Sequence, residues 1–334
     1  MTMSRQGEII ETKDAKPRRF VFVLMNEFTM MCFASAVEAL RIANRMADKN
    51  LYEWRVVSVD GQPVISSAGV VFKVDAGLED LCRDDSVMLC GGLNIRAASS
   101  PKLVNWIRKE SRRGSSVTGL CTAAYTMAKA GLLDGKRATI HWEHHDGLVE
   151  DFPDIAVLNS VFVVDGKMIT TAGGTSSIDL MLKFIADGHG EHLANAVADQ
   201  LIYTSIRTEK DSPRLSIPSR IGVRHLKLSN VIQTMELNLE DPISPAVLAK
   251  DVGMSTRQLE RLFQRYLNRS PKRFYMEIRL QKARNLLMQT DMSVINVALA
   301  SGFSSPSHFS KCYRAQYATT PYRERGVKAE LPAT

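Results

Sequence analysis

No apolar run in the 334 residues is long enough to span a bilayer, and Met1 to Arg19 hold no apolar leader. An exported or membrane-embedded chain is therefore not expected; the cytoplasm is, with no membrane partner. Cysteine is sparse as well. Cys32, Cys82, Cys90, Cys121 and Cys312 are odd in number, irregularly spaced and without a Cys-x-x-Cys pair. That argues against both a disulfide framework and a zinc ribbon, so no metal and no cofactor are anticipated. A surplus of acid is also missing, and with 45% apolar residues the chain is no disordered polyelectrolyte.

What is there is unevenly distributed. From Leu215 onward 18 basic residues face 9 acidic ones, a net charge of +9, whereas the first 214 positions carry −2. The length predicts more than one domain, and the basic part suits a polyanion. A basic surface that only keeps the protein in solution would look the same by charge alone.

Between Phe20 and Ile206 short β-rich runs alternate with helical stretches, the pattern of a doubly wound α/β domain with a parallel sheet. Strands are expected at Phe20 to Met25, Trp54 to Val59, Val87 to Cys90, Ser116 to Leu120, Val161 to Val164 and Met168 to Thr171. Phe33 to Ala47 and Pro101 to Arg112 read as covering helices. Pro213 and Pro218, set among charges and serines, mark a linker at 207–224. A wholly helical domain is expected at 225–325, starting with a helix at Asn230 to Asn238. Residues 1–19 and 326–334 read as tails.

The helical part repeats itself. Ser244 to Asp251 reads as a helix with Val247 and Leu248 on its inner face. The turn Val252-Gly253-Met254 follows, and Ser255 caps a second helix. Leu259, Leu262, Phe263 and Tyr266 share one face of that helix, leaving Arg257, Glu260, Arg261, Gln264 and Arg265 outside. Gly253 supplies the left-handed backbone that the steep turn requires. Leu259, Phe263 and Ser270-Pro271 correspond to Phe309, Tyr313 and Thr320-Pro321, each shifted by 50 positions. In the second copy Pro306 suits a first helical turn, and Ser307, His308, Ser310 and Lys311 face outward. Lys272 to Gln289 joins the copies as a long basic helix; if rigid, it would hold the outward faces roughly 34 Å apart, one turn of duplex DNA.

Gly253-Met254-Ser255, Arg257 to Phe263, Ala298 to Phe303 and Ser307 to Tyr313 resemble the AraC/XylS regulators. The resemblance implies two recognition helices in successive major grooves of promoter DNA. Arg257, Glu260, Arg261, Gln264, Arg265, Ser307, His308, Ser310 and Lys311 are then the expected DNA-binding residues. Ala318 departs from the family's usual glycine; if the site is left-handed, alanine costs roughly 1 kcal/mol there, and Asn268 in the first copy tolerates it better.

In the first domain Gly119-Leu120-Cys121-Thr122-Ala123 follows a strand and precedes a helix, the setting in which a sharp turn exposes a nucleophile. His141 lies 20 residues on. The thiol can be read as a nucleophile activated by that imidazole, as the lining of an effector pocket, or as buried packing.

Cys121, His141-Trp142 and Gly173-Gly174 resemble the PfpI branch of the glutamine amidotransferase-like domains, and the whole chain resembles the GlxA-type regulators, which fuse such a domain to an AraC/XylS module. Within that group, the run Phe33 to Arg45 and His141-Trp142-Glu143 resemble regulators of glycine betaine, carnitine and arginine catabolism. In the wider fold an acidic residue often stands near the thiol, and here Cys32 aligns with it; Glu27 is another candidate, whereas Glu38 reads as an ordinary helix residue.

The expectation is a non-enzymatic, dimeric activator, associated with the nucleoid and acting on RNA polymerase. Its small zwitterionic effector would sit among Asn26, Cys121, Thr122, His141, Trp142, Glu143, Gly174 and Thr175. Backbone N–H groups at Thr122 and Thr175 suit a carboxylate, and Trp142 beside Glu143 suits a cationic amine. The alternative is a thiol hydrolase or amidase using Cys121 and His141.

Overall fold

A computed structural model describes residues 16–214 and 216–326. The expected tails fall outside these residues, except for Lys16 and Pro17, for Arg18 and Arg19, which open the first strand, and for Gly326, which ends the last helix. Leu215 also lies outside the described residues.

The first half runs β1 (Arg18–Leu24), α1 (Met30–Ala47), β2 (Tyr52–Val57), β3 (Val64–Ile65), β4 (Val71–Phe72), β5 (Ser86–Cys90), α2 (Ile95–Ala98) and α3 (Pro101–Arg113). It continues with β6 (Ser116–Leu120), α4 (Ala124–Lys129), β7 (Arg137–Ala138), α5 (His145–Asp151), β8 (Ala156–Val157), β9 (Phe162–Asp165), β10 (Met168–Thr171), α6 (Ser176–His189) and α7 (Glu191–Gln200). Six strands form one sheet in the order β2-β1-β5-β6-β10-β9. The sheet is parallel except at its edge, where β9 pairs antiparallel with β10. The expectation of a parallel sheet fails there for a reason visible in the sequence: a connection as short as Gly166-Lys167 can only close a hairpin.

Strand alternation places the two cores. Phe20, Phe22 and Leu24 point to the side covered by α1, α6 and α7. Val21, Val23 and Met25 point to the side covered by α3, α4 and α5. A strand apolar on both faces is what a sheet with helices on both sides demands.

The second half is helical: α8 (Ile217–Ile221), α9 (Leu226–Leu237), α10 (Pro245–Asp251), α11 (Thr256–Leu267), α12 (Pro271–Gln289), α13 (Val294–Ala300), α14 (Pro306–Tyr317) and α15 (Pro321–Gly326). Ser244, Ser255, Ser270, Ser293 and Ser305 each accept a backbone N–H at a helix start. Ser255 and Gln258 complete a reciprocal capping box. Leu248 and Ala249 are buried, but Val247 is 47% exposed and does not share the inner face. The buried face is centred on Leu248 and Ala249, and at about 100° per residue Val247 stands roughly 200° from Ala249, on the side turned away from the core.

Two cores form, one per copy, and α12 belongs to both. Tyr275, in its first half, packs with Leu259 and Phe263. Leu280, Ala283, Leu286 and Leu287 pack with Phe309 and Tyr313. Among the described residues no helix is long and apolar enough to cross a membrane, and no cluster of side chains is suited to hold a metal ion.

Candidate functional site

α11 and α14 present the charged faces expected of recognition helices. Leu259 and Phe263 are buried in the first copy and Phe309 and Tyr313 in the second. Arg257, Glu260, Arg261, Gln264 and Arg265 are exposed on α11, as are Ser307, His308 and Lys311 on α14; Ser310 is half-buried. The basic residues of the helical half divide by use. On α12 and at its start all but Lys272 are consumed internally: Arg269 and Arg273 pair with Glu277, Lys282 with Glu240 at 3.0 Å and Arg284 with Glu324 at 2.8 Å. Arg279 donates to the carbonyls of Ser301, at 2.9 Å, and Gly302, at 2.5 Å. The side chains of Arg257, Arg261, Lys311 and Arg314 have no hydrogen-bonding or ion-pair partner among the described residues. Charge left unpaired on two exposed helix faces is available to a polyanion.

His308 is less free than its neighbours, with its Nε2 3.4 Å from Cys312 Sγ and its ring 6.0 Å from that of Phe303. Arg265 lies over the ring of Tyr266 at 5.4 Å. The turn glycines have left-handed backbones, φ 63° at Gly253 and 77° at Gly302. Asn268 and Ala318 end their helices in the same region, at φ 51° and 56°.

In the first domain, Cys121 directly follows β6 with φ 61°, a conformation unfavourable for a side chain larger than glycine's. The residue is 5% exposed. Its sulfur lies 3.7 Å from Thr29 Oγ1 and in hydrogen-bond contact with the Cys32 thiol. That contact, with help from Thr29 and the Thr122 N–H, holds the Cys121 thiol below its ordinary pKa, while the same contact and burial push Cys32 well up. Glu38 pairs with Arg41 on the surface, and Glu27 bonds Asn94.

The His141 imidazole is not joined to this thiol by a hydrogen bond. Its backbone N–H donates to the Cys121 carbonyl at 3.3 Å, and its Nδ1 faces Glu143 at 3.7 Å. Burial lowers its pKa. Thr122 turns its hydroxyl to the Gly92 carbonyl at 2.7 Å. The Gly174 N–H donates to Cys32 Sγ at 3.2 Å, and Thr175 Oγ1 accepts from Arg207 at 2.8 Å. Trp142 is not core: it is 39% exposed, and the Arg214 guanidinium covers its ring at 4.3 Å. The aromatic face expected for an amine is thus occupied by a cation of this chain.

Asn26 does not join this cluster. It opens, with Glu27, onto a separate cavity of about 400 Å³ shared by α2, α4, α5 and the end of α12.

A DJ-1/PfpI family model matches residues 18–187, and a helix-turn-helix domain model matches residues 248–326. Over 308 residues, covering 92% of this chain and 91% of the relative, the sequence is 46% identical to the HTH-type transcriptional regulator CdhR of Pseudomonas aeruginosa. It is 35% identical over 309 residues to the HTH-type transcriptional regulator GlxA of Rhizobium meliloti, covering 91% and 94% of the two chains. The chain belongs to the GlxA-type transcriptional regulators. A crystal structure of an AraC family transcriptional regulator from Pseudomonas putida covers 55% of this GlxA-type chain and all of its own, with 27% identity and a TM-score of 0.51.

This regulator therefore binds DNA through its AraC-type module. Sequence reasoning passed over Arg314, although the 50-residue shift that relates the copies pairs it with Gln264. It also missed every contact between the DJ-1/PfpI-like first domain and α12. Gln289 donates its amide N–H to the Glu143 carbonyl at 2.8 Å, and Arg96 bridges Asp151 and, at 2.7 Å, Asp291. No local motif marks such pairs; only the tertiary fold brings them together.

Proposed function

We propose that this regulator reads its promoter as a homodimer, with α11 and α14 entering successive major grooves, and that its first domain senses a small amino-acid-like metabolite without turning it over. The observation that carries the DNA reading is the set of four unpartnered cations, Arg257, Arg261, Lys311 and Arg314, on two exposed helix faces related by the internal repeat. Glu260, Gln264, Ser307 and Ser310 lie among them with the donors and acceptors that base edges recognise. Dimerisation adds a second pair of helices, which one module of limited affinity needs at cellular salt. We assign the protein to the cytoplasm, on the nucleoid, where it activates transcription through RNA polymerase.

The sensor reading rests on the surroundings of Cys121. The thiol is nearly closed off, its hydrogen-bond partners are Thr29, Cys32 and its own turn, and the His141 ring turns its Nδ1 toward Glu143, 3.7 Å away, instead. General-base activation needs the imidazole within hydrogen-bond reach of the sulfur. One feature favours the hydrolase alternative, the left-handed backbone that sets a lowered-pKa thiol at a strand end.

Footprinting on the chain's own promoter tests the DNA reading. Protection is expected at two patches about one helical turn apart, roughly 10 bp, per bound module. A single protected patch per module would refute simultaneous use of both helices. Amidase activity that disappears in Cys121→Ala would establish the hydrolase.

A further inference from the structure

The two exposed recognition faces follow one plan but carry different chemistry. The 50-residue shift that relates the copies sets Arg257 against Ser307, Glu260 against Ser310 and Arg261 against Lys311. At each of these positions α11 offers a planar group with two polar prongs, a guanidinium or a carboxylate. α14 offers a short hydroxyl or the point charge of an ammonium. The difference decides what each helix can do on DNA, because a base edge is told apart by paired donors and acceptors, whereas a phosphate needs only positive charge.

The first turns of a recognition helix are the part that reaches base edges. In α11 they are pinned from both sides: Ser255 Oγ accepts from the Gln258 N–H at 3.2 Å, and Gln258 Oε1 accepts from the Ser255 N–H at 2.8 Å. Arg257, Glu260 and Arg261 project from these turns exposed, and none of the three side chains has a hydrogen-bonding or ion-pair partner among the described residues. In α14 Ser305 accepts from the His308 N–H at 3.3 Å, but the His308 ring turns to Cys312 Sγ, 3.4 Å away. Ser310 is half-buried, and the one arginine of that helix, Arg314, stands in its last turn.

Glu260 is the informative residue. A carboxylate on a face that meets a polyanion is repelled by every nearby phosphate, and neither Arg257, one turn before it, nor Arg261, next to it, forms an ion pair with it. A donor on a base edge offsets that repulsion. The cytosine N4 amino group is such a donor, whereas adenine sets its amino group beside the N7 acceptor, which repels the second carboxylate oxygen. The forks of Arg257 and Arg261 match O6 and N7 of guanine. Four residues apart, they stand about 6 Å from each other along the helix axis, which lets them address different base pairs.

We infer that the two copies divide the work: α11 sets the sequence, taking guanine at Arg257 and Arg261 and cytosine at Glu260, and α14 anchors the module on phosphates with little base preference. The operator then holds one strictly specified patch containing G·C pairs and, one turn away, a patch that tolerates substitution. This inference rests on the DNA reading above and supplies its specificity.

The test is selection of the full chain on a randomised duplex library, followed by anisotropy titration of the selected duplex and its single base-pair variants. Replacing a guanine or the cytosine of the strict patch should cost at least about fivefold in affinity, and replacing a pair in the other patch less than about twofold. Glu260→Gln should move the preference at its position from cytosine to adenine, whose N6 and N7 match an amide. Arg261→Lys keeps the charge and loses the fork, so discrimination at one guanine should vanish while the salt slope stays. Lys311→Ala should weaken all duplexes alike and lower the slope by roughly 1. Cytosine still preferred by Glu260→Gln, or guanine still preferred by Arg261→Lys, overturns the assigned contact. Equal discrimination in both patches overturns the division of work while the DNA reading stands. No enriched sequence at all overturns this inference together with the reading beneath it.

Discussion

The two turn glycines allow the contributions of backbone strain and close packing to be separated within one molecule. Gly253 and Gly302 are equivalent in the repeat and have similar positive φ, 63° and 77°. A Cβ at Gly253 would meet only Lys227 Nζ, at 3.9 Å, whereas one at Gly302 would lie 2.4 Å from the Leu239 carbonyl oxygen and 2.8 Å from that of Glu240. Gly253→Ala should therefore cost only the left-handed conformation, about 1 kcal/mol. Gly302→Ala adds the displacement of a packed backbone segment, for a total of roughly 2–4 kcal/mol. Amide hydrogen exchange read locally on α11 and α14 separates the copies, which a global unfolding curve of a multidomain chain would not. Exchange in α11 of Gly253→Ala should accelerate about fivefold, and in α14 of Gly302→Ala by about thirtyfold or more. Equal acceleration in the two variants would refute the close approach at Gly302.

Ala318→Gly relieves a left-handed alanine at φ 56° and should stabilise the second copy by about 1 kcal/mol, seen as slower exchange in α14 and α15. His144 is neutral in the fold because burial, and then His141, lower its pKa to about 4 from the usual 6.5. The unfolded chain binds this proton first, so stability is complete above pH 6.5 and is lost as pH falls toward 4. The melting temperature of His144→Gln should accordingly fall less over that window than that of the unaltered chain; parallel profiles would contradict the assignment. Cys121→Ala should leave promoter affinity within about twofold, because the thiol lies in the core of the first domain, away from α11 and α14. A large loss would tie the thiol to DNA binding.

Much of this was legible in the sequence. β6 and β10 end where turn residues follow short apolar runs, and Ser255 and Pro306 marked the starts of α11 and α14. The repeat located the second copy because identical spacing demands identical packing, Leu259 and Phe263 answering to Phe309 and Tyr313. The first domain's site was less legible. Asn26 stands next in sequence to a strand end, as the pocket residues at Cys121 do, but the chain turns it into a different cavity, and strand-end position carries no such information. Trp142 was a candidate for an open aromatic face; its partner, Arg214, comes from 72 residues away in a segment without periodicity. Long-range polar pairs such as Arg96 with Asp291 leave no periodic trace, because they require single residues from distant segments to meet.

The most direct test of the central claim is a fluorescence-anisotropy titration of the promoter fragment at several salt concentrations, with the unaltered chain and with Arg261→Ala/Lys311→Ala. Binding should be salt-sensitive, and the double variant should lose at least about 2 kcal/mol, near thirtyfold, at fixed salt. If the two cations touch phosphates, the salt slope should also fall by roughly 2. A double variant with unchanged affinity and unchanged slope would contradict the assignment of α11 and α14 as the helices that read DNA.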